Sequence, residues 1–477
     1  MNLADVLTRH AGRTPDAIAA VEGDRRWSYA ELDLAVWRAA AALRGRGLAP
    51  GDVVGVTLPS NALHLVTGYA LARMGAVQLT LPRHESEATR ASLARRFRAV
   101  VVVGESDVEP GWLEPHGPAP DPAVRSPGGD APWKVAMTSG TTGAPRAVLQ
   151  THAMHVAWRE LNQAAVPVRP DERYWAVVPL EFFAGFRLCM DVHWAGGAAI
   201  VGGVPTEVGE LLDAIDRGGV NYLYLTPMHL QQVLPALAPD RHRLAALRRL
   251  RVGSMVVTEA LRREVLRRLT PHLVVAYGTN DVGSPFTLAQ GETLARFPGT
   301  VGFAVPGVEL QIADEDGRAL PPGETGMVRV RTPGMPGAYV DNPEASAKAF
   351  REGWYYPGDL GMLSPEGALY LKGRADDLMN YNGIKIYPSE IEAVLLEHPA
   401  VAQAAAFPMR SAIFQDLPCA AVVLRARASP EALRRFCAER LGARAPAGVL
   451  VMKALPRSAA GKVLGRELAE LALKAMR

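Results

Sequence analysis

A run rich in hydroxyls and glycine follows directly after the apolar residues 135–137. It consists of Thr138, Ser139, Gly140, Thr141, Thr142, Gly143, Ala144, Pro145 and Arg146. The glycines free the backbone and the hydroxyls supply donors, so the loop amides could wrap a phosphate chain. The run lacks the glycine-lysine ending of a Walker A loop, and an ordinary Ser/Thr-rich surface turn is the alternative. Residues 138–143 are therefore candidate ligands of a polyphosphate.

Five further segments follow this loop in a fixed order, and each places polar residues at a turn or a helix start. They are residues 276–281, 356–360, 373–377, 382–392 and 455–463. Any one of them alone could be only a turn or a cap. All six together resemble the core motifs of the AMP-forming adenylating superfamily, which includes acyl- and aryl-CoA synthetases, the adenylation domains of peptide synthetases, and firefly luciferase. The resemblance spans nearly the whole chain.

The resemblance implies an enzyme, an AMP-forming acid–thiol ligase that works in two steps. A carboxylate attacks the α-phosphate of ATP, pyrophosphate leaves, and a thiol then intercepts the acyl adenylate. Such chemistry needs positioning and charge neutralisation more than covalent catalysis. The implied cofactors are ATP and Mg²⁺, and the implied acceptor is CoA or a phosphopantetheine thiol. Two alternatives stay open: a non-thiol acceptor (an amine or a small inorganic nucleophile) in specialised biosynthesis, and a catalytically silent relative that binds an acyl ligand or AMP.

The resemblance also assigns a nucleotide site. Tyr277 would face the adenine and Asp359 would accept both ribose hydroxyls, as two carboxylate oxygens can. Asn280 would hydrogen-bond near the α-phosphate, and Asp281 would hold Mg²⁺ as a hard oxygen ligand. The full nucleotide-binding set is Thr138, Ser139, Gly140, Thr141, Thr142, Gly143, Arg146, Ser254, Tyr277, Gly278, Asp359 and Arg374.

Lys462 is the candidate catalytic residue, beside Asn280 and Asp281. Only seven lysines occur in a chain that otherwise uses arginine as its cation. By resemblance, the Lys462 ammonium would bridge the attacking carboxylate and the α-phosphate; a solvated surface lysine is the alternative. Asp376 would be the hinge about which a C-terminal domain turns for thiol transfer. Gly383 and Lys385 would then line the thiol tunnel.

The expected acid pocket contains Phe182, Phe183, Gly253 and Thr279. Phe182 stands where acyl- and aryl-CoA ligases usually carry a histidine. Aromatic walls here favour an apolar or aryl acid, but ordinary core packing is an equal alternative. The nearest carboxylate, Glu181, could pair with a substrate ammonium if its side chain turned inward.

Two further positions depart from the family pattern. The loop ends Arg146-Ala147 where Lys-Gly is usual, which keeps the charge but restricts the backbone. Asn280 and Asp281 replace the usual Thr-Glu pair, so the metal carboxylate is one methylene shorter. Mg²⁺ could still bind directly or through water.

The elements that must position these residues predict an α/β fold. Ser28 with Glu31 forms a capping box before a helical pattern at 30–46, and strand-like and helical runs then alternate, as in a parallel sheet with covering helices. From 299 to 372, short strands and turns predict an antiparallel or barrel-like subdomain. After it, Ser389 with Glu392 predicts one capped helix, and Ser429 predicts another that ends at Gly442. The expected organisation is a large N-terminal domain, 1–374, and a small α+β lid domain, 375–477.

Composition limits the partners and the location. The 477 residues carry a formal charge of only +3, and no block of basic residues suggests nucleic acid. Cys189, Cys419 and Cys437 lie in apolar runs without metal-site spacing, which is typical of free thiols in a reducing compartment. The sequence shows no signal peptide or membrane span. We expect a cytoplasmic enzyme whose partners are a carboxylic acid and, as a further candidate, a carrier protein.

Overall fold

The computed structural model describes residues 1–114, 126–138, 146–237, 244, 246–283, 285–411, 415–457 and 463–475. The strands up to residue 374 are β1 (Ile18–Glu22), β2 (Arg25–Ser28), β3 (Val53–Val56), β4 (Val77–Thr80), β5 (Val101–Val103), β6 (Pro132–Thr138), β7 (Arg146–Thr151), β8 (Arg173–Trp175), β9 (Ala198–Ile200), β10 (Tyr222–Leu225), β11 (Arg249–Val252), β12 (Leu273–Gly278), β13 (Pro285–Gln290), β14 (Phe303–Ala304), β15 (Glu309–Ala313), β16 (Thr325–Arg331), β17 (Phe350–Arg351), β18 (Trp354–Tyr355), β19 (Asp359–Leu363) and β20 (Leu369–Arg374). The helices of this part are α1 (Asp5–Arg13), α2 (Tyr29–Gly45), α3 (Ala62–Met74), α4 (Glu87–Arg96), α5 (His152–Ala165), α6 (Phe183–Ala195), α7 (Val208–Arg217), α8 (Pro227–Val233), α9 (Glu259–Arg268), α10 (Glu292–Arg296) and α11 (Pro343–Ala349).

Two mixed sheets form the framework of the N-terminal part. One has the order β14-β13-β12-β11-β10-β8-β9-β1-β2, and its strands from β12 to β1 run parallel. The other has the order β5-β3-β4-β6-β7, and only β6 and β7 pair antiparallel. Parallel strands need cover on both faces, and two apolar clusters supply it, one with helices α2, α3 and α6 and one with helices α7, α8 and α9. The prediction of parallel and mixed sheets with covering helices is confirmed.

The first predicted capping box is present. Ser28 Oγ accepts from the Glu31 amide at 3.3 Å, and Glu31 Oε2 accepts from the Ser28 amide at 2.8 Å. These reciprocal bonds satisfy two donors that a helix start otherwise leaves without partners. Helix α2 consequently begins at Tyr29, one residue before the predicted start.

The third sheet, β15 to β20, is antiparallel, as the turn pattern predicted. Over 299–374, all of which is described, it is an open sheet in the order β17-β18-β16-β19-β20, with β15 beside β16. The barrel alternative is therefore wrong in its closed form. β17 and β18 span two residues each, and the edge strands β17 and β20 do not pair.

A separate small sheet follows residue 374. Its elements are β21 (Met379–Tyr381), β22 (Ile384–Ile386), α12 (Pro388–Glu397), β23 (Val401–Ser411), β24 (Gln415–Leu424), α13 (Pro430–Leu441), β25 (Gly448–Met452) and α14 (Gly465–Ala475). The order β22-β21-β24-β23, with β25 parallel to β24, gives the predicted α+β character. Ser429 caps α13, and Gly442 follows its end, as predicted.

The predicted cap at Ser389 is wrong. Helix α12 begins one residue earlier, at Pro388, whose missing N–H suits a first helical position. Ser389 Oγ instead donates to the Lys372 carbonyl at 2.5 Å, and Glu392 Oε1 accepts from the Ala406 amide at 3.0 Å. Ser389 thus ties the small domain to the last strand before it.

Nowhere in the described ranges does a helix reach the length and apolar character of a membrane crossing.

Candidate active site

Tyr277, Asp359 and Arg374 come together although they lie far apart in the chain. Tyr277 is near the end of β12, Asp359 opens β19, and Arg374 ends β20 as the register partner of Asp359. Tyr277 Oη donates to Asp359 Oδ2 at 2.6 Å, and Arg374 Nη1 donates to Asp359 Oδ1 at 3.2 Å. Both carboxylate oxygens are therefore oriented, and each keeps a lone pair for a ligand hydroxyl.

Gly358 allows this arrangement. Its φ is +83°, and a Cβ there would lie 2.8 Å from Arg374 Nη2. Arg374 Nη1 also donates to the Pro357 carbonyl at 2.6 Å. Burial, with the neighbouring Asp359 carboxylate, raises the pKa of Tyr277 well above its ordinary value, so the hydroxyl stays a donor.

Asp281 lies in a second, buried group. It is 7% exposed, and its Oδ2 accepts from Tyr355 Oη at 2.9 Å. Thr279 Oγ1 donates to the same Tyr355 oxygen at 3.3 Å, and Tyr339 hydrogen-bonds to Tyr355 and Asp281. The Arg146 guanidinium carbon lies 5.2 Å from the centre of the Tyr339 ring. Two predicted motifs, 138–146 and 276–281, thus meet around one carboxylate; sequence reasoning missed both tyrosines, although Tyr355 directly precedes a third motif.

This carboxylate fits a magnesium ion bound mainly by phosphates. In the stretches that the structure describes, no three His, Cys, Asp or Glu side chains cluster as a metal site. Mg²⁺ commonly takes one or two protein carboxylates, keeps several waters and binds substrate phosphates for the rest. Asp281 would supply that one carboxylate.

Two central predictions fall on residues outside the described ranges. Ser139, Gly140, Thr141, Thr142 and Gly143 of the loop are outside, as is Lys462. The flanking residues are described: Thr138 and Arg146 are Cα partners in the β6–β7 pair. Arg457 and Val463 likewise form an antiparallel bridge. The residues that flank each of these two segments are therefore paired with each other through their backbones.

Gly253 and Ser254 follow the end of β11, next to β12. A Cβ at Gly253 would lie 3.0 Å from the Ala276 carbonyl oxygen and 3.3 Å from Tyr224 Oη. Ser254 has a φ of +69°, and its Oγ lies 2.7 Å from Tyr224 Oη. The close approach of two strand ends explains the glycine.

Gly278 and Asn280 are exposed at the end of β12. The Asn280 carbonyl accepts from Gln150 Nε2 at 3.0 Å, which connects this turn to β7. Gln150 Oε1 lies 2.9 Å from His155 Nε2. Sequence reasoning missed Gln150, which carries no local motif signal.

Phe182 and Glu181 contact the loop that follows β4. The Phe182 ring stacks on His84 with a centroid distance of 5.8 Å and an interplanar angle of 9°. Glu181 Oε2 accepts from the Arg83 amide at 2.9 Å, and its Oε1 lies 3.2 Å from His84 Nδ1. The alternative in which Glu181 turns inward for a substrate ammonium is therefore not what the structure holds.

Phe183 begins α6 and has different neighbours. Its ring centre lies 5.8 Å from that of His155 and 6.0 Å from Lys134 Nζ. Lys134 is 3% exposed and was not among the predicted site residues. Its one sequence signal is a rare lysine inside an apolar strand.

The predicted hinge and tunnel residues lie close behind the nucleotide motifs in the chain. Asp376 is exposed in the turn Ala375–Asp377, with Oδ2 3.8 Å from Arg374 Nη2. Gly383, with a φ of +84°, turns between β21 and β22 and donates its amide to Asn380 Oδ1 at 2.9 Å. Lys385 is exposed on β22. Their roles in motion and thiol access stay predictions.

Comparison with known families adds an independent finding. The chain matches the family model of the AMP-binding enzyme over residues 7–340 and that of the AMP-binding enzyme C-terminal domain over residues 390–462. It is 30% identical over 505 residues to indoleacetate–CoA ligase from Aromatoleum aromaticum, covering 99% of this chain and 98% of that enzyme. It is 31% identical over 490 residues to 2-succinylbenzoate–CoA ligase from Geobacillus kaustophilus, covering 98% and 97%.

Solved structures agree with the fold. The O-succinylbenzoate coenzyme A synthetase from Bacillus subtilis, in complex with ATP and a magnesium ion, superposes with a TM-score of 0.87. The two sequences are 26% identical, and the match covers 97% of this chain and 98% of that one.

Proposed function

The chain belongs to the AMP-binding enzyme family, and from that premise we propose that it joins an apolar or aryl carboxylic acid to CoA through an acyl adenylate. It is an AMP-forming ligase that uses ATP with Mg²⁺. Relatives named for indoleacetate and 2-succinylbenzoate support the aryl class of acid. The half-buried Phe182 and Phe183 are consistent with that class.

One observation carries the proposal for this chain. The Asp359 carboxylate has each oxygen fixed by a different donor, Tyr277 on one side and Arg374 on the other. Such preorganisation suits two neighbouring hydroxyls of a ribose, because each oxygen can accept a second hydrogen bond. Arg146 begins β7 at one end of the loop 139–145, and its guanidinium carbon lies 5.2 Å from the Tyr339 ring centre, so this end of the candidate phosphate loop is near Asp281 and its tyrosines.

The proposed reaction has two steps. A substrate carboxylate oxygen attacks the α-phosphorus, and the bond to pyrophosphate breaks. Lys462 would neutralise charge between the carboxylate and the α-phosphate, and Asp281 would hold the Mg²⁺ that binds the phosphates. The thiol then loses its proton and its sulfur bonds to the acyl carbon, while the bond from that carbon to the AMP oxygen breaks and AMP leaves with the oxygen it received from the acid.

The second step is assigned to the small domain. We place its boundary after Arg374 and its hinge at Asp376, where a short turn joins the two sheets. Gly383 and Lys385 would meet the incoming thiol. CoA is the proposed acceptor, and a carrier-protein phosphopantetheine is the further candidate. A cytoplasmic location is proposed because Cys189, Cys419 and Cys437 are all buried as free thiols.

The test is acid-dependent exchange of pyrophosphate into ATP across a panel of aryl, fatty and amino acids. Product analysis with CoA, with an amine or with neither identifies the acceptor. Exchange with an aryl acid and thioester formation with CoA are expected. An amide formed in preference to a thioester would support the amine-acceptor alternative. ATP binding without exchange for any acid would contradict the proposal and favour a silent relative.

A further inference from the structure

A row of three polar side chains crosses the interior of the N-terminal part. Lys134 on β6 is the register partner of Gln78 on β4 and of Gln150 on β7. Register partners on neighbouring strands point to the same face of a sheet. The three residues are 3%, 1% and 0% exposed, respectively. The row therefore lies inside the protein and not on its surface.

Lys134 is the unusual member because it has a charge but no counter-charge. Its Nζ lies 5.6 Å from the ring centre of Trp133, 6.0 Å from that of Phe183 and 5.7 Å from that of Phe186. Among the described residues it makes no ion pair or hydrogen bond. Burial alone lowers its pKa to about 8, so the ammonium is still the main form at neutral pH.

Two polar side chains near Lys134, Gln78 and His64, also have atoms without partners within the described ranges. Both amide atoms of Gln78 and Nε2 of His64 find no hydrogen bond in the described part of the protein. His64 Nδ1 faces the Pro59 carbonyl at 3.2 Å, so Nε2 is the bare nitrogen of a neutral ring. Burial, with the Lys134 charge, lowers the pKa of His64 to about 4. No neighbour in this group is an anion.

An unpaired buried cation is costly, and so are unpaired buried amides. Such groups in a native protein call for an explanation, and a bound ligand that completes them is one. The row also leads to the site, because Gln150 donates to the Asn280 carbonyl and the Phe183 ring faces both Lys134 and His155.

We propose that Lys134 determines substrate specificity by binding a second carboxylate at the far end of the acid, with the Gln78 amide as an additional donor. The inference rests on the proposed function and names its substrate class: an aryl or alkyl acid that carries two carboxylates. The apolar rings would hold the body of the acid, and the reacting carboxylate would lie toward Asn280.

The test compares matched acids in pyrophosphate exchange. Benzoate and phenylacetate are paired with their carboxy-substituted forms, and straight-chain monoacids with diacids of equal length. We expect the wild type to favour the diacid by at least tenfold in kcat/KM. Lys134→Met should lower that ratio at least tenfold, and Gln78→Met should lower it in the same direction. Lys348→Met, a lysine exposed on α11, is the matched control and should leave the ratio unchanged.

Melting temperature gives the second readout. Lys134→Met should melt at the wild-type temperature or above it, because it removes an uncompensated charge. A ratio that Lys134→Met leaves unchanged, or a melting temperature well below that of Lys348→Met, would overturn the inference alone. Exchange with no acid at all would instead overturn the proposed function and the inference with it.

Discussion

Asp359→Asn removes the charge from the carboxylate that we assign to the ribose. The side chain keeps its size, but one of its two oxygens becomes an amide nitrogen. That nitrogen cannot accept the hydrogen bond from Tyr277 at 2.6 Å or the one from Arg374 at 3.2 Å. It also cannot accept a ribose hydroxyl. The variant therefore tests the predicted nucleotide contact without making a cavity.

The size of the effect follows from the hydrogen bonds lost. A hydrogen bond to a charged group contributes about 1.5–3 kcal/mol. Losing one such bond from a ribose hydroxyl to Asp359, and weakening the second, reduces ATP affinity by about 10- to 100-fold, because about 1.4 kcal/mol corresponds to a factor of ten. The free energy of unfolding changes less, because Arg374 keeps its bond to the Pro357 carbonyl and its ion pair with Asp359 is partly exposed.

The assay is the dissociation constant of ATP by calorimetry, with denaturant unfolding as the stability measurement. Asp171→Asn is the control, because Asp171 pairs with Arg248 at an exposed site away from the motifs. We expect it to leave ATP binding unchanged. An Asp359→Asn variant that binds ATP within threefold of the wild type would refute the ribose assignment. So would equal losses of ATP affinity in both variants.

Three further predictions test other parts of the account. Lys462→Ala should slow adenylate formation by ~10²-fold or more while ATP still binds, measured by quenched-flow product analysis; an unchanged rate would remove its catalytic role. Gly358→Ala should lower the free energy of unfolding by at least about 1 kcal/mol more than Gly367→Ala does. Both glycines have positive φ, but only a Cβ at Gly358 would meet the Arg374 guanidinium. Equal urea midpoints for the two variants would contradict this. Burial keeps His64, His152 and His193 neutral, with pKa values of about 4. In the unfolded chain these histidines take up protons below their ordinary pKa of about 6.5, so the free energy of unfolding should fall as the pH drops from 6.5 toward 4. The fall is up to about 1.4 kcal/mol per pH unit for each histidine, and His193→Gln should flatten the slope of unfolding free energy against pH.

Much of the fold follows from local sequence signals. The capping box at Ser28, the cap at Ser429 and the terminal Gly442 act over a few residues, and the structure contains all three. The predicted cap at Ser389 failed because its hydroxyl has a competing acceptor, the Lys372 carbonyl, which only tertiary contact supplies. The barrel alternative was wrong in its closed form for a related reason. Closure depends on whether the two edge strands of the sheet pair, and the sequence pattern of each strand does not determine that.

The residues of the site also differ in whether local sequence identifies them. Tyr277, Asp359 and Arg374 could be named from motifs, and the structure brings them together. The partners of Asp281 could not be named, because Tyr339 and Tyr355 lie in strands and loops whose own patterns are those of core residues. Lys134 lies inside an apolar strand and gains meaning only from its register with Gln78.

The most direct measurement follows the oxygen of the acid. The acid carries ¹⁸O in both carboxylate oxygens and is incubated with ATP, Mg²⁺ and CoA. We expect AMP to gain one labelled oxygen and the thioester to keep the other. This outcome requires a bond between the carboxylate and the α-phosphorus. Unlabelled AMP, or ADP and phosphate in place of AMP and pyrophosphate, would contradict the acyl-adenylate route.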